Sequence, residues 1–112
     1  MALQRMKRQS GLVREVVRRI VRKMKPAKVI LFGSRARGEA REESDYDFFV
    51  VAESGEPRHR RSAPLYTLLA DLPAEVEIAV YTPGEVAEWE GVRESFVGRV
   101  LAEGKVVYEA KA

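Results

Sequence analysis

No cysteine occurs among the 112 residues, so the chain can form neither a disulfide nor a thiolate metal site, and a reducing cytoplasm suits it. Histidine is almost as scarce. His59 stands alone, and one imidazole without a cysteine cannot anchor a zinc ion. Long apolar runs are missing too: none reaches the roughly 18 residues of a membrane span. The N-terminus lacks the uninterrupted apolar core of a secretion signal. These absences predict a cytoplasmic address and no membrane partner.

What is present predicts a globular protein. Hydrophobic residues make up 46% and charged residues 33%, enough of each for a packed core under a wet surface. The length predicts one domain over 1–112, a basic helix over 1–27 followed by a core over 28–112. The charge is uneven. Residues 1–28 hold ten Lys/Arg against the single acid Glu15, a net of +9, while residues 29–112 carry −6, which together give the net +3. Such asymmetry fits either an acidic partner or a solvated helix face. Aromatic residues are not interleaved with these cations, so nucleic acid is not the expected partner.

Leu12, Val13, Val16, Val17, Ile20, Val21 and Met24 recur at spacings of three and four, which predicts an amphipathic helix over 10–25. Ser10 is its candidate N-cap and Pro26 its stop. "KVILF" (28–32) and "YDFFVVA" (46–52) read as buried strands, with a short helix and a turn between them. "ESGEPRHRR" (53–61) reads as a mobile charged loop in which Arg58, Arg60 and Arg61 are free to touch a ligand. Leucines 65, 68, 69 and 72 predict a helix over 64–72, and "EVEIAVY" (75–81) a third strand. "TPGE" (82–85) is a capping box opening a helix that buries Val86, Trp89, Val92, Phe96, Val97, Val100 and Leu101, bending at Gly91 or Gly98. "KVVYE" (105–109) predicts a last strand. The fold class is therefore α/β, a small sheet of about four strands with helices packed on it.

Two acids interrupt the most apolar strand. Asp45 and Asp47, two apart, point to one face about 6.6 Å from each other. Paired hard oxygen donors suit Mg²⁺, which takes carboxylates, water and phosphate oxygens. Two such ions can activate an attacking oxygen and stabilise a leaving phosphate. Glu77, on the later strand, is the candidate third acid. Gly33 and Ser34 stand where a strand meets a helix, a place where backbone N–H groups can approach phosphate. Arg35 and Arg37 offer cations for phosphate oxygens. Each feature also has a plainer reading. Gly-Ser is a common turn, "SDYD" can be an Asx cap, and Glu77 can be the wet side of an edge strand. Arg37 can pair with Glu42 or Glu43.

In combination, "GSRARG" (33–38) followed by "SDYDFFV" (44–50) resembles the minimal nucleotidyltransferase family, within the polymerase-β-type nucleotidyltransferase superfamily. "VEIAVYTPGEV" (76–86) and "LAEGKVVYE" (101–109) extend the resemblance over most of the chain from Lys28 onward. It implies the nucleotidyltransferase fold and transfer of AMP from ATP to an acceptor hydroxyl, with release of pyrophosphate. Gly33 and Ser34 would hold the triphosphate, with Arg37 as a further phosphate contact. Asp45, Asp47 and Glu77 would be the catalytic acids and the ligands of two Mg²⁺ ions. The family's third acid is normally an Asp, so Glu77 is a departure. The resemblance further implies an antitoxin role, with AMP added to a tyrosine of a HEPN-type toxin. The alternative is a catalytically weak module that blocks such a toxin by contact. A homo-oligomer stays open.

Overall fold

The structure, a computed structural model, describes residues 2–41 and 44–111, and of residues 2–10 the backbone course alone. The first helix begins earlier than a Ser10 cap predicts. α1 (Ala2–Met24) runs through Ser10 and Gly11. Ala, Leu, Gln, Arg, Met and Lys are strong helix formers, and together they outweigh the local stop signal at Ser10. The helix ends where Lys25 turns left-handed (φ 51°) ahead of the buried Pro26. Val16 and Ile20 of its apolar stripe are fully buried, flanked by Leu12, Val13, Val17 and Met24.

Strands β1 (Lys28–Phe32), β2 (Tyr46–Val51), β3 (Val76–Tyr81) and β4 (Lys105–Glu109) form one mixed sheet in the order β3-β2-β1-β4. β1 runs antiparallel to β2 and β4, whereas β2 and β3 are parallel. A parallel pair needs a long crossover. Here it is carried by α3 (Arg58–Arg61) and α4 (Ala63–Leu69). One turn of helix, α2 (Ser34–Arg37), joins β1 to β2, while α5 (Pro83–Trp89) and α6 (Phe96–Glu103) join β3 to β4.

Helices cover both faces, so the central strands are apolar on both sides. Val29, Leu31, Tyr46, Phe48, Val50, Ile78 and Val80 pack under α1 and α4. Ile30, Phe49 and Val51 pack with Val97 and Val100 of α6, and Phe32, Tyr81 and Phe96 close that second core. Alternation along the strands assigns Asp47 and Glu77 to this second face, with Phe49 and Ala79.

Two expectations fail here. The single helix after "TPGE" is two, and Trp89 and Val92 are 43% and 41% exposed instead of buried. Ser95 is the reason. Its hydroxyl accepts from the Gly98 N–H and donates to the Val92 carbonyl, starting a new helix. Gly98 allows the crossing, since a Cβ there would run into that same carbonyl. The capping box at the start of α5 does form, through Thr82 and Glu85.

The stretch 53–61 is not a free charged loop either. Arg61 is buried and donates to both Glu85 carboxylate oxygens (2.6 and 3.3 Å), to the Glu56 carbonyl (2.9 Å) and to the Val80 carbonyl (3.3 Å). β3 is an edge strand, and its outward groups are answered from the crossover. Arg61 meets the Val80 carbonyl, and the Tyr66 hydroxyl accepts from the Ile78 N–H (2.8 Å). A guarded edge resists pairing with other chains.

The Arg61 guanidinium, with the Thr82 N–H second, lowers the Glu85 carboxyl from its ordinary range near 4.5 to about 2. A depressed folded-state value stabilises above the unfolded value, so this contribution is complete above pH 4.5 and is lost as pH falls towards 2. Arg61→Ala removes it. Because Glu85 keeps some contact with water, the expected cost is about 2 kcal/mol, below that of a fully buried pair. Melting should fall by about 8 °C at pH 7. Below pH 3 the gap between variant and wild type should narrow; a gap that widens there contradicts the assignment.

Candidate active site

The site begins at the end of β1. Gly33 has φ 75° and ψ −156°, a region open in practice only to glycine. It turns the chain sharply into α2, and its backbone lies directly against Asp47, where a Cβ would collide with the carboxylate. The glycine is thus needed twice, for its torsion angles and for the close approach. Ser34 follows, half-buried, and its carbonyl accepts the Gly38 N–H that closes the turn. α2 spans only four residues, so little helix dipole can develop there.

Asp47 is the centre of the acidic group. It stands opposite Phe32 of β1 and in register with Glu77 of β3. Parallel register partners share a face, so the Asp47 and Glu77 side chains leave the sheet side by side. Asp45, just ahead of β2, joins them by the two-residue period. Asp47 is half-buried, Asp45 and Glu77 exposed. Burial first, then the negative charges of Asp45 and Glu77, raises the Asp47 carboxyl above its ordinary value, while Arg37 opposes the shift. The charges of Asp45 and Glu77 thus bear on Asp47 at this end of the sheet, and the repulsion is the kind a hard cation would relieve.

The donor set fits such an ion, being all carboxylate oxygen. Among the described residues, no three acidic, His or Cys groups form a cage able to hold a metal ion alone. Mg²⁺ characteristically binds through one or two carboxylates plus substrate phosphates rather than through a dedicated protein cage. The donor set fits that mode.

Arg37 is exposed and donates to Glu39 (2.9 Å), with Glu103 of α6 and Asp47 near enough to be felt. Its expected partners Glu42 and Glu43 lie outside the described residues. Arg35 departs from expectation. It is buried, with its guanidinium 3.9 Å over the Tyr46 ring and Nη2 donating to the Ser44 carbonyl (2.8 Å). Tyr46 packs in the core under α1 and α4, on the sheet face opposite Asp47, so the stack draws the Arg35 guanidinium to that side. The sequence held one signal for this, an aromatic residue directly between the two aspartates.

Arg58 lies 4.9 Å over the Tyr81 ring, and Tyr81 is four residues beyond Glu77, about 13 Å along the strand. His59 and Arg60 are exposed. The basic helix lies across the opposite sheet face, where Arg18, Arg19, Arg22 and Lys23 line a groove of about 340 Å³ with Glu15 and Leu68. Arg19 is already neutralised there by Glu15 and by Asp71 just past α4, and it donates to the Leu68 carbonyl of α4. No helix among the described residues is long and apolar enough to cross a membrane.

The four-stranded mixed sheet with helices on both faces matches a nucleotidyltransferase-type fold. The chain belongs to the polymerase beta nucleotidyltransferase family, matching it over residues 15–112. Among solved structures, it resembles a Sulfolobus solfataricus protein assigned as a nucleotidyltransferase. The TM-score is 0.68 at 22% identity, covering 96% of this chain and 86% of the other. A toxin–antitoxin structure with AMP-PNP also matches, with TM-score 0.58 and 20% identity over 87% of this chain and 73% of that one. At such identities the likeness concerns the fold. No curated protein matches significantly.

Proposed function

We propose that the chain is a Mg²⁺-dependent minimal nucleotidyltransferase that transfers AMP from ATP to a hydroxyl of a protein partner, a tyrosine of a HEPN-type toxin. One observation carries the reading: the Gly33 backbone lies against Asp47, with Asp45 and Glu77 on the same face. The toxin–antitoxin structure with AMP-PNP supports both the nucleotide and the kind of partner. Residues 1–112 act as one unit in this reading, in the cytoplasm.

Gly33 and Ser34 would hold the triphosphate, and Arg37 would steady its oxygens. Asp45 and Asp47, with phosphate oxygens, would hold two ions, and Glu77 would share in their binding. Bound Mg²⁺ supplies charge neutralisation at the reacting phosphate. Glu77 would take the proton of the acceptor hydroxyl. That oxygen bonds to the α-phosphorus while the α–β bridging bond breaks, and pyrophosphate leaves with its electron pair. Most of the rate comes from positioning and preorganised charge.

The decisive experiment incubates the protein with ATP, Mg²⁺ and the product of its neighbouring gene, then weighs both proteins by mass spectrometry. One added adenylyl group on the partner is expected, and an unchanged partner mass overturns the reading. A second reading, neutralisation by contact alone, draws support from the Asp-to-Glu departure at Glu77. It expects the triple variant Asp45→Asn, Asp47→Asn, Glu77→Gln to protect cells from the toxin as well as wild type does.

A further inference from the structure

Arg35 does something that its place in "GSRARG" does not suggest. The residue is buried, at 9% exposure, and its guanidinium holds both neighbours of Asp45 in the chain. On one side Nη2 donates to the Ser44 carbonyl (2.8 Å); on the other the group lies flat over the Tyr46 ring (3.9 Å). Ser44 is tied a second time, its hydroxyl accepting the Arg41 N–H (2.8 Å) and its own N–H donating to the Arg41 carbonyl (3.1 Å). Tyr46 is tied through its N–H to the Glu75 carbonyl (2.9 Å). Asp45 itself is exposed and lies outside the strand ladder, so nothing in the sheet fixes its backbone.

We propose that Arg35 is a positioning residue. Standing directly after Gly33 and Ser34, it clamps the segment 44–46, so that Asp45 is presented beside Asp47 at a set distance from the Gly-Ser turn. This inference rests on the nucleotidyltransferase reading for its consequence in catalysis, not for the clamp itself. A planar guanidinium suits the task because one group can stack on the aromatic ring while an edge N–H reaches the carbonyl. A lysine can supply the hydrogen bond but not the flat stack.

The clamp is tested without any reaction, by amide hydrogen exchange in the full chain free of nucleotide. Arg35→Met should speed exchange at residues 44–47 while the amides of β1 and of β2 beyond Phe48 keep their protection. Arg35→Lys should fall between the variant and wild type. Uniform loss of protection across the sheet, or no change at 44–47, overturns the proposal and leaves Arg35 an ordinary structural residue. In transfer assays, Arg35→Met should lower kcat about tenfold and raise the Mg²⁺ concentration needed for half-maximal rate, with the KM for ATP little changed, as expected for loss of one charged hydrogen bond acting at a distance. A rise in KM alone also overturns it, since Arg35 would then be contacting nucleotide. If wild type transfers nothing, the proposed function fails, and the exchange measurement still decides the clamp.

Discussion

Asp47→Asn should reduce nucleotide transfer by about three orders of magnitude, the upper range for losing a preorganised charge-stabilising group, while the protein melts at or above the wild-type temperature. Few substitutions combine those two outcomes. Asn keeps the shape of the side chain, so the contact with the Gly33 backbone and the packing on β2 survive. It removes the one carboxylate that burial and two like-charged neighbours, Asp45 and Glu77, make costly to ionise. Taking away that repulsion relieves the fold even as it removes the oxygen donor most firmly held by the scaffold. Transfer assays and thermal melting on the same sample check both halves. Transfer within tenfold of wild type would remove Asp47 from the chemistry, and a large drop in melting temperature would mean that its role is structural.

Gly33→Ala should damage fold and activity together. The residue occupies a backbone region that L side chains essentially never adopt, at a cost of about 1–3 kcal/mol for the torsion angles alone. The new methyl group would also meet the Asp47 carboxylate, so either the turn or the aspartate must move. A fall in melting temperature of about 10 °C is expected, with transfer reduced further than the unfolded fraction explains. Gly38 is the control. It has the same sign of φ (75°), but nothing lies within 4 Å of its Cβ position, and ψ of 18° places it in the left-handed helical region. Asn tolerates that region, so Gly38→Asn should cost much less. Equal effects at the two glycines would show that neither the unusual torsion of Gly33 nor its contact with Asp47 carries an added cost.

The positions of the four strands were legible in the sequence because each rests on a short apolar run bounded by glycine, proline or acid, within about six residues. The Thr82–Glu85 capping box was legible for the same reason, as both partners lie in one turn. The acids of the site and the Gly-Ser turn were visible as motifs. The break between α5 and α6 was not. Val86, Trp89, Val92 and Phe96 keep helical spacing, and periodicity cannot register that Ser95 starts a new helix while Val92 folds back onto Gly98. In α1 it was the Ser10 cap that misled, since many weak propensities outweighed that one good cap residue.

By itself the sequence determined the local pieces: which stretches extend, where the chain turns at Gly33, and that two aspartates share one side of β2. Only the tertiary structure decided which charges are buried and which acids meet. Arg35 and Arg61 look like their exposed neighbours in "SRAR" and "RHRR", yet each is buried by partners distant in the chain, the Ser44 carbonyl nine residues on and Glu85 twenty-four residues on. Glu77 stands beside Asp47 because β3 pairs with β2 in parallel, thirty residues later. A charge is buried only where its desolvation is offset by partners brought to it, and those partners come from other elements. Local pattern carries no record of that pairing, so the acidic face and its clamp come into being only when the sheet closes.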